Sequence, residues 1–380
     1  MKNIFLKSLA FASAAIVVAS CGNNNSSDNN LSGNLDTEYD SIVVRSVLMD
    51  RSEASTDSIA LNNGQFGINI TDSVPLWVNI TPVQNNGSKK KAVLASKILM
   101  LPGDNITISG QLENLEISGS QLYDALKETE YYKIYKEKDA VRREIVKVYK
   151  TETAEARMML DSLLDKSQDI DRRMNEASMA LVKAQPDNIA AGFATLTMFD
   201  KDCLEATKML KENVVNGPLK EIIENNVAAK QKSIEKQEKW DSLTPGMQAP
   251  DFKLKDLNGE EKTLASFKGK YLVVEFWGTW CPWCIKGLPM MRTYYEKYKS
   301  QVEFASICCR DTDEAWRRCI EKYDMRWTQL FNGNGTEVQE AYRILGYPSK
   351  IIIDKDGKIV DKFLDEEPTF YQKLEELFGK

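Results

Sequence analysis

The sequence predicts an α/β protein: a C-terminal domain with a central mixed sheet flanked by helices, preceded by a small all-β, sandwich-like domain and a helical segment. Three observations predict this organisation. Short β-rich runs separated by turn residues fill residues 32–119, and residues 120–243 are rich in Glu, Lys, Ala, Leu and Met. From residue 244 to residue 380, strand and helix patterns alternate and end in a hairpin.

Composition excludes several classes of function. The 380 residues include 50 Lys and Arg against 56 Asp and Glu, so the net charge is −6 and no nucleic-acid partner is expected. The chain contains no histidine, which excludes Ser-His-Asp and Cys-His catalysis, His-ligated haem and mixed Cys/His zinc sites. Chemistry must therefore depend on Cys, carboxylates, Lys or Tyr, and seven cysteines are present.

The N-terminus has the pattern of a targeting segment. A basic start and the apolar run 9–18, too short to span a membrane, lead to small residues immediately before Cys21. This resembles a bacterial lipoprotein signal, which implies a signal peptide over 1–20 and lipidation of Cys21; the alternative is an ordinary secretory signal with an incidental cysteine. The polar residues after it predict a flexible tether over 21–31. We therefore expect a lipid-anchored protein of the cell envelope facing the periplasm, where disulfides persist.

Residues 32–119 resemble a β-domain of unknown function found in envelope lipoproteins. Asn63-Gly64 and Pro102-Gly103 are among the turn signals that separate its strands, and no set of residues here has catalytic character. The predicted strands cover residues 41–48, 65–70, 76–80, 93–101 and 105–109.

Residues 120–243 predict helices with breaks at 185–187 and 216–218. An apolar stripe in the first part follows helical spacing and indicates either intramolecular packing or a dimerising coiled coil. Cys203 lies in helical context without a paired motif, which favours a packed thiol. The stripe consists of Tyr131, Ile134, Val141, Ile145 and Val148.

The elements of the C-terminal domain follow from its apolar periodicity. A hairpin precedes a continuous apolar strand that contains one acid, Glu275, and this strand leads directly into a Cys-x-x-Cys sequence. The predicted strands are 251–255, 261–264, 271–277, 302–308, 327–331, 350–353 and 358–363, and the predicted helices run to about residue 299, over 313–323, over 336–345 and from Pro368.

The Cys-x-x-Cys sequence lies where thiol chemistry needs it, between a buried strand and the start of a helix. Free N–H groups and the partial positive charge of a helix N-terminus favour a thiolate at Cys281. Cys284 lies on the same helical face and can resolve a mixed disulfide formed by Cys281. Pro282 suits the first helical turn. Glu275, inside an apolar run, predicts a buried carboxyl that relays a proton for Cys284, although a charged residue at a strand edge is the alternative.

With Gly346-Tyr347-Pro348, the motif from Trp280 to Cys284 resembles a thioredoxin-fold domain of the TlpA/ResA-like branch of membrane-anchored thiol-disulfide oxidoreductases. The resemblance implies that Glu275 is the family's buried acid, that Pro289 kinks the active-site helix and that Pro348 is the family's cis-proline. It implies no cofactor and no metal. It also implies two kinds of partner: disulfide-bearing envelope proteins as clients and a membrane electron donor, with reductase activity favoured. The expected substrate groove consists of Pro348, Tyr347, Trp280, Pro282 and Trp283.

Two positions depart from the family pattern, and both concern the dithiol. Pro282-Trp283 is not the common pair between the cysteines, which leaves the redox poise open. Gly287 stands where cytochrome-maturation members often carry glutamate, which weakens a cytochrome-specific assignment. Trp280 and Trp283 fit surface packing as well as substrate contact.

Four alternatives stay open. A zinc site would need Cys308 and Cys309 as further ligands. A peroxidase of the peroxiredoxin branch would need Pro and Thr where Val274 and Gly278 stand. A ligand-binding lipoprotein would use the β-domain and carry an incidental dithiol. Finally, Cys308, Cys309 or Cys319 could supply an extra resolving thiol, or they form a Cys309–Cys319 disulfide or remain buried thiols.

Overall fold

A computed structural model describes residues 29–48, 52–70, 73–83, 95–149, 151 and 153–379. The predicted signal peptide, Cys21 and most of the predicted tether lie outside the described residues. The chain divides into two compact units, of which the first ends at Val227 and the second begins at Ala228. Within the described ranges, no helix combines the length and the apolar character that crossing a bilayer requires.

The N-terminal unit begins with two four-stranded sheets, in which the strand orders are β4-β1-β7-β8 and β3-β2-β5-β6. Strand β5 shows why these residues form a half-buried sheet: its residues alternate between buried and partly exposed positions, with Leu76, Val78 and Ile80 inside. The β-rich prediction is confirmed. The strands are β1 (Leu31–Leu35), β2 (Ser41–Val47), β3 (Glu53–Ala60), β4 (Gln65–Ile68), β5 (Leu76–Val83), β6 (Ser96–Met100), β7 (Ile106–Gln111) and β8 (Asn114–Ser118).

Strand β1 corrects the end of the predicted tether. Leu31 is fully buried and begins a strand that pairs with both β4 and β7. The side chain of Asn30 donates to the carbonyl oxygen of Ile70 and accepts from its N–H, both at 2.7 Å. The folded unit therefore includes residues 30 and 31 of the predicted tether, because they supply hydrogen bonds and a core side chain.

Helices follow and share one hydrophobic core with the two sheets. Tyr131, Ile134 and Val141 of the apolar stripe lie in that core beside strand residues, which is the intramolecular packing expected. Cys203 is a buried thiol that accepts a hydrogen bond from the Asn226 amide at 3.2 Å. The helices are α1 (Gln121–Leu126), α2 (Glu130–Tyr149), α3 (Ala154–Ala184), α4 (Ile189–Thr195), α5 (Asp200–Met209), α6 (Glu212–Val215) and α7 (Lys220–Asp241).

The C-terminal unit contains a seven-stranded mixed sheet of order β10-β9-β13-β12-β11-β14-β15. The central strands β11, β12 and β13 are parallel, whereas β14 and β15 are antiparallel additions at one side. The strands are β9 (Lys253–Asp256), β10 (Glu261–Thr263), β11 (Tyr271–Trp277), β12 (Val302–Cys309), β13 (Thr328–Gly333), β14 (Ser349–Ile353) and β15 (Ile359–Leu364). The helices are α8 (Pro282–Tyr298), α9 (Asp313–Tyr323), α10 (Glu337–Ala341) and α11 (Pro368–Phe378).

A hydrophobic core covers each face of this sheet, and the alternation of side chains along β11 separates the two. Val273 and Trp277 lie in the core that also contains residues of α8, α9 and α11, whereas Val274 and Phe276 lie in the other core. The predicted sheet flanked by helices is therefore confirmed.

The C-terminal unit begins inside α7, earlier than the boundary expected at residue 244. Near the end of α7, the backbone carbonyl of Trp240 accepts a hydrogen bond from the Lys362 ammonium, which also lies 4.8 Å from the centre of the Trp240 ring. The Ser242 hydroxyl accepts from Arg343 at 2.7 Å. The end of α7 belongs to the C-terminal unit because these contacts join it to β15 and to the segment after α10.

Candidate active site

The two cysteines of the motif lie at the first turn of α8, directly after β11, and form a disulfide. Cys281 is the N-cap residue, and its Sγ accepts a hydrogen bond from the backbone N–H of Cys284 at 3.1 Å. Pro282 occupies the first helical position, where its missing N–H leaves no acceptor unsatisfied. The helix N-terminus thus directs a backbone donor and its partial positive charge at the Cys281 sulfur, which favours a thiolate there in the reduced protein.

The two cysteines differ slightly in exposure. Cys281 retains 4% of its exposure, whereas Cys284, in the first turn of α8, is completely buried. The carbonyl oxygen of Tyr347 lies 3.6 Å from the Cys281 Sγ, and the Tyr347–Pro348 peptide bond is cis. The segment that contains Pro348 therefore lies directly against the Cys281 sulfur.

Aromatic side chains surround the Cys281 end of the disulfide. Trp280 and Trp283 are both close to half exposed. The Trp280 ring meets the Tyr347 ring edge-on at 5.2 Å, and its indole N–H donates to the Cys309 carbonyl oxygen at 3.0 Å. Lys286 lies 4.9 Å from the centre of the Trp283 ring. Trp280 thus combines packing with an exposed face, whereas Trp283 is contacted by Lys286 of its own helix.

Glu275 is buried on the face of the sheet that α8 covers. Strand register places it between Ser306 on β12 and Lys350 on β14. The Ser306 hydroxyl donates to its Oε2 at 2.6 Å, and the Lys350 ammonium lies 3.9 Å from its Oε1. Burial raises the pKa of Glu275 to about 6, although Lys350 opposes the shift. Small changes of pH around 6 therefore decide whether the carboxyl is protonated or ionised, which is the property that a proton relay requires.

Two charged residues that the sequence did not single out join this carboxyl. Lys350 is fully buried and pairs with Glu366, which lies between β15 and α11. The Tyr371 hydroxyl donates to Glu366 Oε2 at 3.0 Å. A signal for Lys350 exists in the sequence, since it directly precedes three consecutive isoleucines in a buried strand. Glu366 has no such signal.

Asp311 is a third residue that sequence reasoning missed. Its Oδ2 accepts from the backbone N–H of Thr279 at 2.7 Å and lies 3.5 Å from the Cys308 Sγ. Because Thr279 lies two residues before Cys281, Asp311 fixes the loop that presents the dithiol. Its position just beyond the carboxyl end of β12, at the edge where the dithiol loop also emerges, could have indicated a role.

The remaining cysteines of this unit are buried thiols. Cys308, Cys309 and Cys319 have no disulfide partner among the described residues, so of the two arrangements left open the structure has buried thiols and not a Cys309–Cys319 disulfide. Alternation along β12 separates the first two onto opposite faces of the sheet, and Cys308 shares a core with Cys319 and the dithiol. Burial raises the pKa of all three thiols, to about 12 for Cys309. No group of three or more Cys, Asp or Glu residues in the described ranges is arranged to hold a metal ion.

The dithiol and its strand–helix context match known proteins. The AhpC/TSA family model matches residues 245–362. The thiol-disulfide oxidoreductase ResA of Bacillus thuringiensis subsp. konkukian (strain 97-27) is 35% identical over 143 residues, which cover 37% of this chain and 81% of that protein. This chain belongs to the ResA family of thiol-disulfide oxidoreductases. ResA of Bacillus subtilis (strain 168) is 32% identical over 121 residues, 32% of this chain and 67% of that protein.

Two solved structures are similar in sequence to part of this chain. The thioredoxin domain of a thiol-disulfide oxidoreductase from Bacteroides vulgatus is 32% identical, covers 36% of this chain and 99% of its own, and has a TM-score of 0.34. A thiol:disulfide interchange protein from Bacteroides sp. is also 32% identical, covers 37% of this chain and 93% of its own, and has a TM-score of 0.34.

Proposed function

We propose that this ResA-family enzyme reduces disulfides of envelope proteins through the Cys281–Cys284 dithiol. The position of Cys281 as the N-cap of α8, with Cys284 completely buried in the first turn, carries the assignment of roles. The Cys281 thiolate, stabilised at the α8 N-terminus, attacks a client disulfide, and the buried Cys284 resolves the mixed disulfide. Glu275 takes up the proton that Cys284 releases, since its pKa of about 6 allows both protonation states.

In this proposal the client strand lies in a groove beside Cys281. Pro348 and Tyr347 form one wall, supported by the short distance from the Tyr347 carbonyl to Cys281. Trp280, which contacts Tyr347, continues this wall with Trp283 and the exposed Pro282, and the half-exposed tryptophan rings offer apolar area to an extended client segment.

Covalent trapping tests the assignment of roles. In Cys284→Ser, the mixed disulfide between Cys281 and a client has no resolving thiol, so covalent complexes should accumulate on non-reducing gels. The matched variant Cys281→Ser retains a cysteine that is buried and should trap little. Equal trapping by the two variants would contradict the assigned roles.

Membrane attachment and the direction of electron flow belong to the same proposal. Lipidation of Cys21 would hold the enzyme at the envelope membrane, and a membrane electron donor would regenerate the dithiol; Cys21→Ser should then move the protein to the soluble fraction. The reduction potential of the dithiol tests the direction. A value near thioredoxin's, about −270 mV, supports a reductase, whereas about −120 mV indicates an oxidant or isomerase.

Peroxidase chemistry is the second candidate, because the family model that matches residues 245–362 is named AhpC/TSA. Gly278 offers no hydroxyl where that chemistry needs threonine, and Val274 stands in place of proline. Peroxide consumption by the reduced enzyme should therefore be negligible beside its reduction of protein disulfides. Rapid peroxide consumption would favour the second candidate instead.

A further inference from the structure

A cluster of buried charges extends from the proposed proton relay to the underside of α8. Lys350, fully buried, lies between the carboxyl groups of Glu275 and Glu366. It pairs with Glu366 through a direct hydrogen bond, whereas its ammonium nitrogen is 3.9 Å from Glu275. The charge of Lys350 is therefore compensated mainly by Glu366, which weakens the attraction between Lys350 and an ionised Glu275.

The charge balance of this cluster implies an exchangeable proton. Two ionised carboxylates and one ammonium leave one uncompensated negative charge, which is costly in a buried site. Protonation of one carboxyl removes that charge. Glu275 is the more buried of the two, so it is the better site for the proton. The other groups that face the cluster are the Ser306 and Tyr371 hydroxyls, which donate to Glu275 and Glu366 respectively, and Asp365, whose carboxyl senses the Lys350 charge.

Gly287 brings the other end of the cluster against the active-site helix. A Cβ added at Gly287 would lie 2.6 Å from the Oε2 of Glu366 and closer still to its Oε1. The carboxylate of Glu366 thus fills the space that a side chain at position 287 would need. Position 287 is one helical turn after Cys284 on the same face of α8, where Cβ atoms are about 5–6 Å apart. The Glu366 carboxylate therefore lies about one helical turn of α8 away from the Cys284 side chain.

We propose that Glu366 is a positioning residue of the resolving step: by neutralising Lys350 it keeps Glu275 able to accept a proton, and so it sets the pH at which Cys284 reacts. This inference rests on the proposed function. During resolution the Cys284 thiol gives its proton to Glu275, and its sulfur bonds to the Cys281 sulfur. The bond from Cys281 to the client then breaks, the enzyme dithiol is oxidised, and the reduced client leaves as a thiolate that takes a proton from solvent.

The effect of Glu366→Gln follows from the same charges. The variant keeps the shape of the side chain but loses the charge that neutralises Lys350, so the ammonium acts on Glu275 alone. Nearby opposite charge lowers a carboxyl pKa by roughly 1–3 units. The pH midpoint of the resolving step should therefore move down by about one unit or more. The attack by Cys281, at the helix N-terminus, should keep its pH profile.

Stopped-flow reaction of the reduced full chain with the aromatic disulfide DTNB separates the two steps. Attack by Cys281 releases one thionitrobenzoate in a second-order phase, and resolution by Cys284 releases the other in a first-order phase. The expected result is a downward shift of the pH midpoint of the second phase alone in Glu366→Gln. An unchanged midpoint would overturn the inference, even if the variant were less stable, because a purely structural role lowers the melting temperature without moving this midpoint.

Two further variants and two controls complete the test. Gly287→Ala displaces the Glu366 carboxylate without removing its charge and should shift the midpoint in the same direction. Gly287→Glu combined with Glu366→Gly returns an acid to the same space from the helix side and should restore the midpoint. Glu367→Gln removes an exposed neighbouring acid and should leave both phases unchanged. The double Cys281→Ser, Cys284→Ser variant measures the background from the other thiols.

Failure of the inference and failure of the proposed function give different results. If Cys284 does not resolve mixed disulfides, the wild-type enzyme releases only one thionitrobenzoate and has no second phase. If resolution occurs but Glu366 has no part in it, the second phase is present with the same pH midpoint in wild type and Glu366→Gln.

Discussion

Replacement of Glu275 by glutamine should change how the stability of the C-terminal unit depends on pH. Glutamine keeps an oxygen that accepts from Ser306, and Lys350 keeps Glu366 as its partner, so the variant leaves no buried ammonium uncompensated. What the variant loses is one titrating carboxyl. The difference in the free energy of unfolding between wild type and variant therefore isolates the titration of Glu275.

The sign and size of the effect follow from the raised pKa. Burial lifts the pKa of Glu275 from its ordinary 4.5 to about 6, so between these values the folded protein binds a proton that the unfolded chain releases. The contribution of Glu275 to the free energy of unfolding is fully present below pH 4.5 and is lost as the pH rises through 6. A shift of about 1.5 units corresponds to roughly 2 kcal/mol. Wild type should lose about 2 kcal/mol relative to Glu275→Gln between about pH 4 and about pH 7.5.

Urea denaturation followed by tryptophan fluorescence measures this difference. Of the seven tryptophans in the chain, only Trp77 lies outside the C-terminal unit, so the signal reports mainly on that unit. Glu303→Gln is the matched control, since it removes a carboxyl on the neighbouring strand β12 that pairs with Lys270 at the surface. Exposed pairs of this kind contribute at most about 1 kcal/mol, so the control should show no comparable loss.

One outcome would refute the reasoning about Glu275. If the difference between wild type and Glu275→Gln were constant with pH, or grew as the pH rose, the attraction of Lys350 would outweigh burial. Glu275 would then stay ionised throughout the range, and it could not hold the proton that Cys284 releases.

Three further predictions concern the loop before the dithiol, the first strand and the buried thiols. Asp311→Ala leaves the Thr279 N–H without its acceptor and should lower the free energy of unfolding by about 1–3 kcal/mol, whereas Asp311→Asn, which keeps an acceptor, should cost less; equal urea midpoints would contradict this. Leu31→Ala should cost about 2–5 kcal/mol in the N-terminal unit, followed by far-UV circular dichroism, because the side chain is fully buried. The three buried thiols of β12 and α9 should resist iodoacetamide in the folded protein and react only after denaturation, because burial raises their pKa; mass spectrometry that found labelling of the folded protein would contradict this.

Most elements of the C-terminal unit were predictable because its strands are apolar and its helices begin at clear signals. Strand β11 and helix α9 have the predicted bounds. Strand β3 was not predicted, because Glu53–Ala60 is polar and largely exposed at the edge of its sheet. Such a strand forms by pairing with β2, and its own sequence carries no alternation that would indicate it.

The dithiol and Glu275 were predictable as residues, but the network around them was not. Ser306 and Lys350 contact Glu275 because strand register places them opposite it, although they are 31 and 75 positions away in the sequence. Glu366 reaches the same cluster from a loop, where no periodicity operates. These contacts depend on tertiary structure. Because Gly287 has no side chain, the Glu366 carboxylate can occupy the space beside α8.

The burial of Cys284 has a kinetic consequence for any cycle that uses this site. Within the dithiol, Cys284 is completely buried and Cys281 keeps 4% of its exposure, so we expect electrons to enter and leave the dithiol through the Cys281 sulfur. A donor and a client therefore take turns at one docking surface, and the cycle is a substituted-enzyme, ping-pong scheme. Double-reciprocal plots of initial rate against client concentration, at several donor concentrations, should be parallel. An excess of either protein should inhibit the reaction of the enzyme with the other.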